Sequence, residues 1–514
     1  MTSVLSIEDQ ASLSVLAERQ AYRREYWDRN DPLLEERLSW RTAIFRHLVH
    51  LLPGQHVAVV GAPDIGVYQQ CVEVTKGRNP ITRVSFNGVN DDEQASADVD
   101  REILDGTAFL DRARSESWAD CVLGFDLLDQ RNCGHVLEAV FKTLKPGGRL
   151  VLFETNPWNP WLRLKRRVGL AGGDTRRLLT RTQLYELISE VGFIQVFSVF
   201  HDFVYGLLAR RLFRRLVKIS SVIMENMPLV QGFAGSIIVH ARKPGNASAT
   251  LPPLATQPSL LKAVSVVVPC HNEEMNVRPL VDAMRAYYND YLHEIILVDD
   301  NSHDRTREVI LQLAAHDSRI KPVLRTPPPG VGRALQEGYA AATGEWVLSM
   351  DCDFQHLLPE FEDLFDAAAA GADVVVGSRF SRMSLLLNYP WPKIVANRGF
   401  HLIMNLVLGI RFRDLTNNLK LMRRTVVAGL DVQSPGFSAN AETGLIPVLQ
   451  GFAVAEIPIS WVNRTPGMGV SSFKLARVGG GYLWVLRSVW HRRRSLRSIS
   501  TQSPQNSLPK PSES

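Results

Sequence analysis

The chain reads as a two-domain α/β protein. Each half alternates short apolar runs with turns and helix-period segments. An aperiodic stretch rich in Pro, Ala, Ser and Thr, KPGNASATLPPLATQPSLLK (243–262), parts the halves. The 514 residues, 45% hydrophobic and 22% charged, suffice for two separate cores. The expected divisions are a helical segment 1–42, a domain 43–243, a linker 244–262, a second domain 263–494 and a tail 495–514. The tail carries too little apolar content to fold and is expected to be disordered.

Composition narrows the function classes. Net charge is only +5, and nothing in the pattern calls for nucleic acid. Cys71, Cys121, Cys133, Cys270 and Cys352 form no C-x-x-C, which suits a reducing cytosol. The first residues hold no apolar signal core, and no uninterrupted apolar run approaches the ~18 residues of a membrane span. No internal repeat is visible.

In the second half, SVVVPCHNEE (265–274) is an apolar strand with a sharp stop at Pro269, then polar residues able to line a pocket and cap a helix through Asn276 to Tyr287. EIILVDDNSHDRT (294–306) is a second buried strand, ending in Asp299 and Asp300. GVGRALQEGYAAATGEW (330–346) supplies a glycine-flanked helix start. LSMDCDFQH (348–356) opens apolar and ends in Asp351, Asp353 and Gln355, spaced two apart, so on an extended backbone they project to one side. Hard oxygen ligands of this kind suit Mg²⁺ or Mn²⁺, which also keep waters and phosphate oxygens. GADVVVGSRF (371–380) ends in Arg379, a candidate phosphate partner. Ligands bind beyond the carboxyl ends of parallel strands, so these motifs belong at one rim. A lone Asp-x-Asp more often caps a helix or sits solvated in a loop; the ordered set argues for a site. A metal on a diphosphate neutralises charge on the leaving group, as a sugar–nucleotide transferase requires.

Residues 264 to about 480 resemble glycosyltransferase family 2, of the dolichol-phosphate mannose synthase-like, polyprenyl-phosphate type. The matching pieces are VPCHNEE, LVDDNSHDRT, MDCDFQH, VGSRF, DLTNNLKLMRR (414–424) and AEIPISWVNR (455–464). The resemblance implies a GT-A fold, a nucleotide-sugar donor (GDP-mannose or a UDP-sugar) and inverting transfer of mannose or a similar sugar to a polyprenyl phosphate. On the matching positions it implies Pro269, His271 (often Tyr in relatives), Glu273, Val298 and the Asp299–Asp300 pair for the nucleoside. Asp351, Asp353 and Gln355 would hold the metal, and Arg379 with Arg464 the phosphates; Asp353 and Arg379 would be catalytic. Glu442, in SANAETG, matches an acidic residue of relatives and reads equally as catalytic or as a helix-start carboxylate. Two departures stand out. Arg464 is followed by TPGMGVSSFK, so Lys474 comes several residues later than the lysine of relatives. Asn301 replaces a common glycine, a mild change because Asn tolerates φ > 0.

The acceptor can be argued from chemistry. A lipid phosphate has a second pKa near ~6, is largely dianionic at neutral pH and needs no general base. It needs positive charge and an in-line approach to C1 of the sugar. A hydroxyl acceptor would need a poised carboxylate, and no clear Glu-Asp pair occurs late in the domain. The remaining alternatives are transfer to a hydroxyl of a polysaccharide or glycolipid, a bifunctional enzyme that also methylates, and a non-catalytic scaffold.

In the first half, residues 5–50 are mainly helical. HVAVVGAPDIG (56–66) and WADCVLGFDLLDQ (118–130) are strands with turns, and LEAVFKTLKPGGRLVLFETN (137–156) is helix, Lys-Pro-Gly-Gly turn and strand. Over roughly 43–243 this resembles class I S-adenosylmethionine-dependent methyltransferases, which implies a Rossmann-like fold. The site departs from that family. Val59, Gly61, Ala62, Pro63, Asp64 and Gly66 stand where an acidic residue and Gly-x-Gly-x-Gly are usual, and proline removes an N–H from the cradle. ITRVSFNGVN lacks the strand-end carboxylate for the ribose, leaving Asn87 or Asp91 to substitute, with Asp105 near the adenine. S-adenosylmethionine binding is therefore doubtful, and a degenerate lobe is the expectation.

Membrane contact is the last theme. In FVYGLLARRLFRRLVK (203–218), Tyr205, Leu208, Leu212, Phe213, Leu216 and Val217 fall on one helical face, and Arg210, Arg211, Arg214, Arg215 and Lys218 on the other. NRGFHLIMNLVLGIRF (397–412) and YLWVLRSVWHRRRSLR (482–497) repeat the pattern. A polyprenyl acceptor stays in the bilayer, so peripheral binding at the cytoplasmic face is expected.

Overall fold

The computed structural model describes residues 6–26, 45, 48–49, 51–62, 65–86, 102–169, 175–203, 212, 215, 219, 223–245, 257–353, 358–381, 384, 386–387, 389–462 and 480–491. Gln355, Arg464 and Lys474 lie outside them, as do Pro63, Asp64, Asn87, Asp91, most of 203–218, Arg492 onward and the whole tail. Contacts group the chain into two units. One is Met1–Leu254 with Phe380–Ile394 and Pro458–Asn463; the other is Ala255–Arg379 with Val395–Ile457 and Arg464–Ser514.

The first unit opens with helix α1 (Ile7–Tyr26) and is built on seven strands: β1 (Val57–Val60), β2 (Ile81–Ser85), β3 (Glu102–Asp105), β4 (Ala119–Phe125), β5 (Leu144–Thr155), β6 (Ile194–His201) and β7 (Ser236–Arg242). Their order is β3-β2-β1-β4-β5-β7-β6. β1 to β5 run parallel and β7 is antiparallel to both neighbours. The order 3-2-1-4-5 is that of a doubly wound sheet, with its switch point between β1 and β4. Buried runs such as VAVV in β1 reflect cover on both faces. The Lys-Pro-Gly-Gly segment, expected as a turn, lies inside β5, where the β4 pairing shifts register and Gly147 takes φ 77°. A short parallel ladder of β13 and β16, defined below, groups with this unit.

The remaining strands are β8 (Val264–Cys270), β9 (Leu292–Asp299), β10 (Ile320–Leu324), β11 (Trp346–Ser349), β12 (Val374–Ser378), β13 (Leu386–Leu387), β14 (Lys420–Arg423), β15 (Val454–Pro458) and β16 (Trp461–Val462). The second unit's sheet runs β10-β9-β8-β11-β14-β12-β15. β8 pairs parallel with β9 and β11, while β14 is antiparallel to β11 and β12, so β12 points the same way as β11. One cluster of its core, including Val267, Ile296, Val347, Val376, Met422 and Val485, is drawn from residues 267–489.

Two local expectations are corrected. β8 continues through Pro269 to Cys270, with Pro269 opposite Val298. The linker is expected to run to Lys262, yet Pro258–Leu260 form a 3-10 turn with Leu260 buried, and Gln257 bonds Asp366 and Tyr291.

Candidate active site

The rim that matters in the second unit is the carboxyl end of β8, β9, β11 and β12, where the sheet order reverses between β8 and β11. Two loops stitch its first side. His271 Nδ1 lies 2.8 Å from the carbonyl of Asp300, and Asn272, at φ 58°, accepts from the amide of His303 at 2.8 Å. The amide of Glu273 donates to Thr306 Oγ1 at 2.8 Å, and Asn276 donates to Glu273 Oε2. Asn301 takes φ 59°, the conformation a glycine would serve. His271 is exposed and Pro269 and Glu273 are half-buried, so all three are open to a ligand at this rim.

The other residues expected at the nucleoside are inward. Val298 is fully buried, its methyl group against the space beside Gly338. Asp299 is buried and accepts from Arg307 Nε at 2.8 Å and the Ser302 amide at 3.1 Å. Asp300 pairs with Arg325 and accepts from the Gly330 amide at 2.7 Å, while Arg325 Nε reaches Glu337 at 2.7 Å. Asp300 therefore ties the β9 end to the start of the helix Val331–Ala341.

Asp351 and Asp353 follow the end of β11 at Ser349, so they project from a loop rather than from the extended backbone expected. Both are half-buried. Asn418 Nδ2 donates to Asp351 Oδ1 at 2.8 Å. Burial pushes the Asp351 carboxyl above the usual carboxylate range, against that hydrogen bond and the nearby Arg379 and Lys420 cations. A divalent cation beside it would reverse this cost. Two adjacent hard carboxylates fit Mg²⁺ or Mn²⁺. Among the described residues no three His, Cys, Asp or Glu side chains are grouped to hold a metal ion.

Arg379, just past β12, is buried and faces Asp414 with two prongs, Nε to Oδ2 at 2.7 Å and Nη2 to Oδ1 at 2.9 Å. The pair holds the Asp414 carboxyl far below the usual range despite its burial. Behind Asp351, β14 supplies a residue that sequence reasoning passed over. Lys420 is fully buried, bonding the carbonyls of Asn417 and Asn440, and burial pushes its ammonium down to about 7. A lone lysine opening the apolar run KLM was the available signal. Glu442 is buried, and its Oε2 accepts from the amides of Gln433 at 3.0 Å and Ser434 at 2.8 Å.

Known proteins match this half of the chain. The family Glycosyl transferase family 2 matches residues 265–430. Polyprenol monophosphomannose synthase of Mycolicibacterium smegmatis is 32% identical over 214 residues, which are 40% of this chain and 80% of that protein. Dolichol-phosphate mannosyltransferase of Pyrococcus furiosus is 28% identical over 209 residues, 40% of this chain and 58% of that one. A crystal structure of glucosyl-3-phosphoglycerate synthase from Mycobacterium tuberculosis with Mn²⁺ and uridine-diphosphate-glucose aligns at 21% identity over 47% of this chain and 84% of that chain, with TM-score 0.35.

Proposed function

This chain belongs to glycosyltransferase family 2 and is a glycosyltransferase, and from that premise we propose that it moves mannose or a similar sugar from a nucleotide-sugar to a polyprenyl phosphate, with inversion. The observation that carries the choice of acceptor is Glu442. It is the late-domain carboxylate that a hydroxyl acceptor would need as base, and it is turned inward onto two backbone amides. A phosphate dianion dispenses with that base. The names of the relatives, polyprenol monophosphomannose synthase and dolichol-phosphate mannosyltransferase, agree with this reading.

Asp351 and Asp353 would hold Mg²⁺ or Mn²⁺, completed by Gln355, and that ion supplies charge neutralisation on the donor diphosphate. Pro269, His271 and Glu273 seat the nucleoside, and Asp299 and Asp300 keep their loops in place. Arg379, expected at the phosphates, is instead engaged by Asp414 and fixes that wall, and Arg464 and Lys474 would supply positive charge to the phosphates. Arg379, and Lys420 when protonated, lie near Asp351 and favour its carboxylate form before the donor arrives.

The acceptor would be reached from the membrane surface. No helix among the described residues is long and apolar enough to cross a membrane. The helix Trp391–Leu408 leaves Leu402 61% and Leu406 75% exposed, and the helix 480–491 leaves Leu483 62% exposed. The two meet through Phe400 and Tyr482, ring centres 5.2 Å apart, and their exposed leucines support peripheral, cytoplasmic-side docking.

The test is a panel of GDP- and UDP-sugars offered to the full chain with undecaprenyl phosphate, dolichyl phosphate and hydroxyl acceptors. An acid-labile glycosyl phosphate lipid is the expected product. Transfer to hydroxyl acceptors alone would overturn the assignment.

A further inference from the structure

In the first unit, the crevice at the switch point between β1 and β4 is where a doubly wound sheet takes a nucleotide-like ligand. Here α1 lies across that crest. Its buried stripe is Asp9, Ser12, Leu16, Arg19 and Gln20, at helical spacing, and all but Leu16 are polar. A helix that merely covered an apolar sheet face would bury aliphatic side chains. This one buries hydrogen-bonding groups: Arg19 and Gln20 meet strand ends, and Asp9 meets Arg114 and His135 on neighbouring helices.

Gln20 joins the ends of β1 and β2. Its Nε2 donates to the carbonyl of Ala62, just after β1, at 2.9 Å and to Ser85 Oγ, the last residue of β2, at 3.4 Å. Its Oε1 accepts from the amide of Phe86 at 2.7 Å. Arg19 enters beside it, 1% exposed, donating from Nε to the carbonyl of Asp126 at 2.5 Å, from Nη1 to Asp129 at 3.3 Å and from Nη2 to Glu154 at 3.2 Å. Asp126 and Glu154 close β4 and β5, so one guanidinium satisfies the polar ends of both strands. Asp105, considered near an adenine, instead caps the helix Gly106–Ser115 through the Ala108 amide. Leu13 of α1 sits 2.5 Å from where a Cβ on Gly106 would stand, so even this flank is filled.

Among the described residues, the polar groups at the ends of β1, β2, β4 and β5 are thus engaged by the chain itself, an arrangement that does not fit S-adenosylmethionine there. We propose that α1 is a built-in occupant of the crevice, with Gln20 and Arg19 in the place of the nucleoside, and that the first unit is a cofactor-free lobe whose interior is completed by its own helix. This goes beyond the sugar-transfer reading and does not depend on it.

The full chain would be dialysed against labelled S-adenosylmethionine at millimolar concentration, and no retained label above a non-binding control is expected. Saturable binding at micromolar concentration would overturn the proposal. A second measurement tests the occupant directly. Arg19→Met and Gln20→Leu should each lower the thermal unfolding midpoint, by the same amount with and without S-adenosylmethionine. An unchanged midpoint in both variants would show that α1 does not complete the lobe, and a midpoint raised by the cofactor would show that the crevice is open to it.

Discussion

The acidic pair past β11 is the smallest feature on which the proposed chemistry turns. Asp353→Asn should lower transfer by about 10²-fold or more with Mg²⁺ present, the scale of losing one fixed electrostatic group, and Asp351→Asn should do less. Near-normal turnover in Asp353→Asn, in a protein of unchanged thermal midpoint, would sink the metal assignment. Asp414 behaves differently, because its partner is a buried guanidinium. Asp414→Asn leaves Arg379 inside the protein without its carboxylate and should cost about 3–5 kcal/mol of stability, read by chemical denaturation. His401 gives a pH signature. Its Nε2 accepts from the Leu415 amide at 3.0 Å and its Nδ1 faces the Asn397 carbonyl at 2.8 Å, and burial lowers its pKa from 6.5 to about 4. The folded state binds fewer protons than the unfolded chain between those values, so this contribution is full above about 6.5 and is lost as pH falls toward 4. Proton resonances of the ring should report a neutral imidazole at pH 5.5; a charged one there would refute it. At this scale the sequence exposed the strand-end acids, because spacing marks them. It hid Asn418 and Lys420, which act from a strand some seventy positions away, brought beside Asp351 only by the β11–β14 pairing.

Among the elements, the strand-and-helix plan was legible because buried parallel strands write themselves as apolar runs. What escaped were places where backbone pairing overrode a turn signal. Pro269 needs no amide partner at its position in β8 and stays in the strand, and Lys-Pro-Gly-Gly is absorbed as an irregularity in β5. The helix Trp391–Leu408 offers the clearest element-level test. Burying a leucine contributes roughly 1.5–3 kcal/mol, so Leu406→Ser with Leu483→Ser should remove most salt-resistant binding to anionic vesicles. Replacing Arg492, Arg493 and Arg494 by Gln should instead weaken binding chiefly at low salt, at roughly 1 kcal/mol per charge. Co-sedimentation across salt concentrations separates the two. Equal binding of both variants and wild type would mean that neither segment meets a lipid surface.

For the whole molecule, a large core cluster of the second unit is drawn from residues 267–489, with Leu260, Val264 and Val266 buried beside that span. A fragment spanning 257–491 is therefore expected to show a cooperative unfolding transition of its own, followed by circular dichroism. A fragment without one would mean that Phe380–Ile394 and Pro458–Asn463, which group with the first unit, are required for the second to fold. The two-part plan was readable from composition alone, whereas these two excursions were not, since nothing local distinguishes them from neighbouring loops. Helix α1 has a consequence for the order of events during synthesis. Arg19 meets partners 107, 110 and 135 positions downstream. At about 5–20 residues per second a ribosome needs on the order of ten seconds to deliver Glu154 after Arg19 has emerged. For that interval the nascent helix carries its polar stripe with nothing to receive it, and the earliest strands wait with open ends. The first lobe can therefore close only late in its own translation, and that window is when a chaperone would find it.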